Sequence, residues 1–216
     1  MDETLRRIGS HGIVPVISLP DADTAEPLAQ ALAAGGLPVA EVTFRSDAAA
    51  EGIARMKVAE PGLLVGAGTV LTLAQARAAL DAGAAFIVAP GFDPEIVEFC
   101  LERQVPVVPG VATASDLTQA VKRGLSVVKF FPAEALGGLT LMKALAGPFP
   151  GVLFLPTGGI NATNMALYLS WPRVLAVGGT WMVAKDLLIA KRFDDVRELA
   201  AQAARLVGCM QRPPVK

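Results

Sequence analysis

Cysteine and histidine are scarce in this 216-residue chain, which contains two cysteines and one histidine. Cys100 and Cys209 lie far apart and have neither CxxC nor metal-ligand spacing, which argues against a disulfide framework and indicates a cytoplasmic protein. His11 precedes the first apolar run, which indicates a surface or capping role. With one histidine and no acidic cluster, the sequence predicts no dedicated metal site.

The chain also lacks an excess of charge of one sign and long apolar runs. Charged residues make up 18% of the chain and leave a net charge of -1, so the sequence has neither a basic nucleic-acid-binding face nor a polybasic membrane arm. No run reaches the roughly 18 consecutive apolar residues of a membrane helix, and the amino-terminal residues lack the pattern of a signal peptide. We therefore expect a soluble protein with no nucleic-acid and no membrane partner.

Hydrophobic residues, by contrast, are abundant at 53% and are grouped in short runs. Because these runs are continuously apolar and do not alternate, they are typical of parallel strands that are buried on both faces of a sheet. Eight strands are predicted: Ile13–Leu19, Val39–Phe44, Leu63–Gly66, Ala85–Ala89, Val105–Val108, Val127–Phe131, Val152–Pro156 and Val174–Val177.

Segments with apolar residues at helical spacing separate these runs, and several of them end in glycine. The predicted helices are Thr24–Ala34, Ala48–Ala59, Leu73–Ala82, Pro94–Arg103, Ser115–Lys122, Leu139–Ala146 and Asn164–Leu169, with a closing helix at Phe193–Leu206. The chain length suits one domain over residues 1–216, and residues 209–216 are expected to form a frayed tail.

Eight strand-then-helix units in about 200 residues predict an α/β protein with a (β/α)8 TIM-barrel fold. A doubly wound open sheet is the alternative, but its GxGxxG fingerprint does not follow the first strand. The nearest sequence, GAGTVL, follows the third predicted strand and has the wrong spacing. In a (β/α)8 barrel the catalytic groups lie at the carboxyl ends of the strands, so reactive side chains there are the candidates for a site.

Lys129 is the most informative of these side chains, because it lies within the apolar strand sequence VVKFF. Strand alternation directs Lys129 inward if its neighbours face the helices. A buried ammonium is costly unless it is paired or neutralised, and a neutral lysine amine is a nucleophile that condenses with ketones. The alternatives are a snorkelling lysine at the strand end and a lysine in a structural ion pair.

Glu41 and Arg45 follow each other along the second predicted strand and its exit. A carboxylate inside the barrel could move the protons of an imine–enamine cycle, or it could be the structural counter-ion of Lys129 or Arg45. The guanidinium of Arg45 suits a planar carboxylate, which it can bind through two hydrogen bonds. The alternative for Arg45 is a loop arginine in solvent.

Glycine pairs close the last two predicted strands, at Gly158–Gly159 and Gly178–Gly179. Glycine lets backbone N–H groups approach an anion, and (β/α)8 barrels often bind phosphate after strands seven and eight. Thr180 could add a hydroxyl donor. The alternative is a pair of tight turns without a ligand.

The order and spacing of EVTFR, VGAGTVL, PG, PGVAT, KFFPAE, GPFP, PTGGI and GGTW resemble the KDPG/KHG aldolase family, from about Ile13 to about Leu206. KFFPAE together with PTGGI is highly specific, whereas GAGT alone is weak. The family consists of bacterial class I aldolases that act on 2-keto-3-deoxy-6-phosphogluconate (KDPG) and 4-hydroxy-2-oxoglutarate. Its members are typically homotrimers.

The resemblance implies a lyase of the Entner–Doudoroff pathway that cleaves KDPG to pyruvate and glyceraldehyde 3-phosphate without a metal or other cofactor. Cleavage of 4-hydroxy-2-oxoglutarate to pyruvate and glyoxylate is a second candidate reaction. By resemblance, Lys129 is the Schiff-base lysine and Glu41 is the general acid and base. The implied pyruvate-end residues are Arg45, Thr69, Pro90, Phe131 and Thr157. The implied phosphate-binding residues are Gly158, Gly159, Gly179 and Thr180.

Thr180 departs from the family pattern, because the last motif is often GGSW. The hydroxyl is kept and a methyl group is added, so we expect only a slight change in phosphate affinity. Two other functions would also fit the glycine pairs: a phosphate-binding barrel isomerase or synthase without a covalent lysine, and a non-catalytic sugar-phosphate-binding barrel. Neither gives Lys129 a covalent role.

Overall fold

Parallel strands alternate with helices along the chain in this computed structural model, which describes residues 1–210. The described strands are β1 Ile13–Ile17, β2 Val39–Thr43, β3 Leu64–Gly68, β4 Ile87–Val88, β5 Val107–Val108, β6 Gly110–Val111, β7 Val127–Phe130, β8 Leu153–Pro156 and β9 Val177–Gly179. The described α-helices are α1 Glu3–His11, α2 Ala25–Ala34, α3 Ala49–Ala59, α4 Leu73–Asp81, α5 Pro94–Glu102, α6 Ala114–Lys122, α7 Gly138–Ala146, α8 Met165–Leu169, α9 Lys185–Ile189 and α10 Phe193–Gly208. Short 3-10 helices cover Ala22–Thr24 and Trp181–Val183.

The strands form two sheets in which every neighbouring pair is parallel. The larger sheet has the order β5-β4-β3-β2-β1-β9, and the smaller sheet has the order β6-β7-β8. Every strand residue is buried, as expected for strands that are covered on both faces. The predicted α/β class with a parallel sheet is therefore confirmed, and each of the eight predicted strands overlaps a strand of the structure.

Pro109 separates the two sheets, because it lies between β5, which falls within the predicted fifth strand Val105–Val108, and β6, which was not predicted. Proline has no N–H and interrupts a ladder of hydrogen bonds. β5 pairs with β4, whereas β6 pairs with β7. The described residues thus form a curled parallel sheet in two parts, of six and three strands. The single eight-stranded sheet predicted for a (β/α)8 barrel is not present among residues 1–210.

The last predicted strand, Val174–Val177, lies too early in the chain, because β9 covers Val177–Gly179. β9 pairs with β1, where Ile13 is opposite Val177. Val174, which precedes β9, forms an isolated parallel bridge with Phe154 on β8, and Gly178 on β9 forms another with Thr157, which directly follows β8. The hydrophobic run correctly predicted that these residues are buried, but it could not show at which residue the hydrogen-bonded pairing of the strand begins.

The helix α1 was not predicted, since its sequence ETLRRIGSH is mostly polar. Asp2 caps it by accepting hydrogen bonds from the N–H groups of Thr4 and Leu5. His11 is the last residue of α1 and is partly buried. Burial and the nearby Arg7 guanidinium lower the pKa of His11 below its ordinary value.

The last described residue is Met210, two residues after the end of α10. Residues 211–216 of the predicted tail lie outside the described residues. Within residues 1–210, no helix is long and apolar enough to span a bilayer.

Candidate active site

Lys129 and Glu41 meet inside the curled sheet. Lys129 is on β7 and Glu41 is on β2, and their side chains are 3% and 0% exposed. Lys129 Nζ donates a hydrogen bond to Glu41 Oε1 over 3.2 Å. Because β2 and β7 belong to different sheets, this ion pair joins the two halves of the fold. The expected inward direction of both side chains is therefore correct.

A missing side chain on β3 provides the space for Glu41. A Cβ on Gly68 would be 2.2 Å from Glu41 Oε1 and 2.5 Å from Cγ, so the carboxylate needs glycine at this position. Gly110 on β6 lies opposite Lys129 and packs with its backbone against Pro90, whose carbonyl oxygen would be 2.0 Å from a Cβ there. Glycines in the strands thus shape the interior around the ion pair.

Two side-chain oxygens in residues 1–210 are buried without a hydrogen-bond partner: Glu41 Oε2 and Thr157 Oγ1. Buried polar atoms are nearly always paired in folded proteins, so each exception calls for an explanation. Neighbouring Thr43 illustrates the rule, since its hydroxyl donates to the carbonyl of Ile17 over 2.7 Å. The two unpaired oxygens are positions at which a bound ligand could form hydrogen bonds.

Phe131 contacts the lysine from the end of β7. The centroid of its ring is 5.3 Å from Lys129 Nζ, within the range of a cation–π interaction. Phe131 is partly buried, and so is Thr69, which directly follows β3 with a left-handed φ of 53°. Pro90 follows β4 and is also partly buried. These residues therefore lie at the carboxyl ends of their strands, as predicted for a (β/α)8 site.

Arg45 is exposed in the turn after β2 and lines a pocket of about 360 Å³. Ser46, Asp47 and Gln75 also line this pocket. A second pocket, of about 400 Å³, lies near the amino-terminal ends of β5 and β7 and includes Gln104. Since Lys129 lies toward the opposite ends of the strands, the pocket beside Arg45 is the one relevant to the candidate site.

Gly158 and Gly159 follow β8 with left-handed φ values of 97° and 81°, which favour glycine. The carbonyl of Gly158 accepts the N–H of Glu134 over 3.1 Å. The carbonyl of Gly159 accepts Nδ2 of Asn164 over 3.0 Å and Nδ2 of Asn161 over 3.4 Å. The N–H groups of the two glycines donate to no group within residues 1–210, which leaves two donors for an anion.

The second glycine pair lies beside the first, because Thr157 bridges to Gly178. Gly179 is buried, and a Cβ there would be 2.0 Å from the ring of Trp181. Thr180 is exposed at the end of β9. The structure therefore brings both predicted phosphate-binding corners to the same edge of the fold.

Glu134 and Tyr168 were not predicted to take part in the site. The hydroxyl of Tyr168 on α8 donates to Glu134 Oε1, next to Gly159. Two signals were present in the sequence: Glu134 is the acidic residue of KFFPAE, and Tyr168 is the only tyrosine. Their contact could not be inferred, since it joins segments 34 residues apart.

Metal ligands are not grouped in the described part of the chain. Residues 1–210 contain no set of three or more histidine, cysteine, aspartate or glutamate residues that could hold a metal ion.

A family model described as KDPG and KHG aldolase matches residues 3–199. The chain belongs to the KDPG and KHG aldolase family. This confirms the family resemblance inferred from the sequence motifs. A curated relative among the KDPG and KHG aldolases, the 2-dehydro-3-deoxy-phosphogluconate aldolase of Treponema pallidum, is 48% identical over 208 residues, which cover 96% of this chain and 98% of the relative.

Two solved structures of KDPG aldolases are similar throughout the chain. The Legionella pneumophila enzyme, with pyruvate captured at low pH as a covalent carbinolamine intermediate, has a TM-score of 0.89 and 37% identity, covering 94% of this chain and 98% of that one. The Zymomonas mobilis enzyme with 3-phosphoglycerate has a TM-score of 0.85 and 39% identity, covering 94% of both chains.

Proposed function

We propose that this protein is a class I aldolase that cleaves KDPG to pyruvate and glyceraldehyde 3-phosphate through a Schiff base on Lys129. The observation that carries the proposal is the buried contact of 3.2 Å between Lys129 Nζ and Glu41 Oε1 in a member of an aldolase family. An amine beside a carboxylate provides both the nucleophile and the proton acceptor of an imine mechanism.

Formation of the imine begins when Glu41 takes a proton from the ammonium group of Lys129. The neutral amine then attacks the C2 ketone of KDPG and gives a carbinolamine. Glu41 returns its proton to the carbinolamine hydroxyl, which leaves as water, so that an iminium ion forms and Glu41 is again a carboxylate. The relative from Legionella pneumophila was captured with pyruvate as a covalent carbinolamine, the intermediate that precedes this loss of water.

Cleavage of the C3–C4 bond follows when Glu41 accepts the proton of the C4 hydroxyl. The electrons of the broken bond move into the iminium, which forms an enamine while glyceraldehyde 3-phosphate leaves. Glu41 returns its proton to C3 of the enamine, and hydrolysis of the resulting imine releases pyruvate and regenerates the lysine amine. Glu41 Oε2, which has no partner in residues 1–210, is the oxygen available for these transfers.

The substrate is proposed to lie along the carboxyl ends of the strands, with pyruvate and phosphate at different places. The proposed pyruvate-end residues are Arg45, Thr69, Pro90, Phe131 and Thr157. The unpaired Thr157 hydroxyl and the ring contact of Phe131 with Lys129 support this assignment. The phosphate is proposed to bind at Gly158, Gly159, Gly179 and Thr180, supported by the two backbone N–H groups without partners.

Four broader features belong to the same proposal. The two sheets would form one closed (β/α)8 barrel, supported by the continuity of β5 with β6 across Pro109 and by the bridges from β8 to Val174 and Gly178. Residues 1–216 would form one domain. The active protein would be a homotrimer, as the family resemblance implies. Its location would be cytoplasmic, in keeping with the free thiols of Cys100 and Cys209.

Pyruvate and borohydride test the covalent step directly. We expect reduction to fix a pyruvate adduct on Lys129, identified by intact mass and peptide mapping. Lys129→Met should lose the adduct and all turnover of KDPG while it remains folded. An unmodified wild-type protein, folded and at neutral pH, would instead favour a phosphate-binding barrel that acts without a covalent lysine or a non-catalytic binding protein.

Steady-state kinetics of the same protein with each of the two candidate substrates shows which one it prefers. The glycine corners favour a phosphorylated acid, so kcat/KM for KDPG should exceed that for 4-hydroxy-2-oxoglutarate. The family model describes both activities, so measurable cleavage of 4-hydroxy-2-oxoglutarate is also expected.

A further inference from the structure

The turn at residues 157–159, called here the glycine turn, is hydrogen-bonded to a second turn, which contains Ala133 and Glu134. Ala133 N–H donates to the carbonyl of Thr157 over 2.8 Å, and Glu134 N–H donates to the carbonyl of Gly158 over 3.1 Å. These bonds direct the carbonyl groups of Thr157 and Gly158 toward the turn that contains Glu134. The direction of its free N–H groups consequently depends on where the turn around Glu134 lies.

The side chain of Glu134 packs directly on the glycine turn. A Cβ on Gly159 would be 2.6 Å from both Cβ and Cγ of Glu134, so the carbon chain of the glutamate contacts the peptide backbone there. Its carboxylate accepts the hydroxyl of Tyr168, whose side chain is 1% exposed. Hydrogen bonds to a charged acceptor are stronger than those between neutral groups.

Gly138, the first residue of α7, packs against both the Tyr168 hydroxyl and the Glu134 carboxylate. A Cβ on Gly138 would be 2.9 Å from the Tyr168 hydroxyl and 3.2 Å from Glu134 Oε1. The φ of Gly138 is 60°, in the left-handed region that favours glycine. Burial, with the hydrogen bond to Glu134 as a second cause, raises the pKa of Tyr168, so the hydroxyl remains a donor.

We infer that Glu134 and Tyr168 are positioning residues that hold the glycine turn in the conformation that presents its N–H groups to the substrate phosphate. The inference rests on the proposed function. Neither side chain is required to touch the reacting carbon atoms, and the effect of the pair reaches the substrate through Gly158 and Gly159.

Tyr168→Phe is the primary test, since it removes the hydroxyl and leaves the net charge unchanged. KM for KDPG should rise about tenfold, because the variant loses the hydrogen bond to the charged Glu134 carboxylate, which lies at the phosphate end of the site. The value of kcat should change by less than about twofold, because the bond is remote from the reacting carbon atoms. KM for unphosphorylated 4-hydroxy-2-oxoglutarate and the rate of borohydride trapping with pyruvate should stay at wild-type values.

Substitutions of Glu134 separate positioning from charge. Glu134→Gln keeps an acceptor for Tyr168 and removes a negative charge near the phosphate, so KM for KDPG should not rise. Glu134→Ala removes the acceptor at an exposed position and should raise KM as Tyr168→Phe does. Glu98→Gln on α5, which loses an exposed pair with Arg123, is the matched control and should leave KM unchanged.

Affinity for 3-phosphoglycerate, measured by calorimetry, tests the inference without turnover. We expect Tyr168→Phe to bind about tenfold more weakly than wild type. A wild-type protein that binds this compound but does not cleave KDPG would refute the proposed function and leave the affinity comparison valid. Wild-type affinity and KM in Tyr168→Phe and Glu134→Ala would refute the positioning role. Equal losses with phosphorylated and unphosphorylated substrates would refute it as well.

Discussion

Gly178 lies directly against the hydroxyl of Thr157, so that a Cβ on the glycine would be only 2.4 Å from Oγ1. The two residues form a parallel bridge between the end of β8 and β9. The absence of a side chain on Gly178 therefore leaves the space that the Thr157 side chain occupies, and that side chain carries one of the two unpaired buried oxygens in residues 1–210.

Gly178→Ala should disturb both stability and the pyruvate end of the site. Overpacking a filled interior costs about 1–3 kcal/mol, so the free energy of unfolding in urea should fall by that amount. Displacement of Thr157 should also raise the pyruvate concentration needed for half-maximal borohydride trapping. Gly62→Ala is the control, because a Cβ there would meet nothing within 4 Å. Equal stability and trapping in the two variants would contradict the proposed packing.

Removal of one partner of the buried ion pair should cost more stability than removal of both. Lys129→Met leaves the Glu41 carboxylate buried without a cation, and breaking a buried pair in this way costs about 3–5 kcal/mol. The double variant Lys129→Met/Glu41→Gln has no unpaired charge and should recover most of that loss. Urea unfolding of the wild type, both single variants and the double variant gives the coupling free energy. Additive effects would mean that the two groups do not interact.

Tyr168 should resist ionisation in the folded protein. Burial, followed by the hydrogen bond to Glu134, raises its pKa, so the folded state keeps the proton to higher pH than the unfolded chain does. The resulting stability is complete below the unfolded value of about 10 and is lost as the pH rises above it.

Tyrosinate absorbance can follow this group alone, because the chain has one tyrosine. We expect the absorbance to appear above the pH at which free tyrosine ionises, together with unfolding, and we expect Tyr168→Phe to lose less stability at alkaline pH. Titration of the folded protein like free tyrosine would show that the buried hydrogen bond is absent in solution.

The two cysteines should differ in reactivity. Burial raises the pKa of Cys100 to about 11, whereas Cys209 is exposed. Because the thiolate is the reactive form, a disulfide reagent should modify one thiol rapidly in the native protein and both in urea. Cys209→Ser should remove the rapid phase, and a rapid phase that persists in this variant would mean that Cys100 is accessible.

The sequence was sufficient to predict that Lys129 and Glu41 point inward, because strand alternation is a local property, but it left open whether Glu41 pairs with Lys129 or with Arg45. A lysine within VVKFF and a glutamate within VAEVT must point to one face of their strands, and in both cases this face is the interior. The α/β class followed from the same apolar runs. The limits of β9 and the break at Pro109 did not, because both depend on which neighbour each strand pairs with.

Contacts between distant segments were also beyond the sequence. α1 was missed because its burial depends on the structure it covers, although Asp2 gives a capping signal. The hydrogen bond between Tyr168 and Glu134 depends on how closely α8 approaches the turn before α7, and no local sequence pattern predicts that distance. The motif residues were recognisable individually, but their shared packing around Gly159 was not.

The glycine turn offers a phosphate only peptide N–H groups, which carry no charge that changes with pH. A phosphate bound there would meet donors that do not themselves gain or lose protons. Affinity for the phosphorylated end should therefore follow the second ionisation of the ester itself, near pH 6 at about the value typical of phosphate esters. Below that pH, loss of one phosphate charge should weaken the binding of KDPG at these N–H groups.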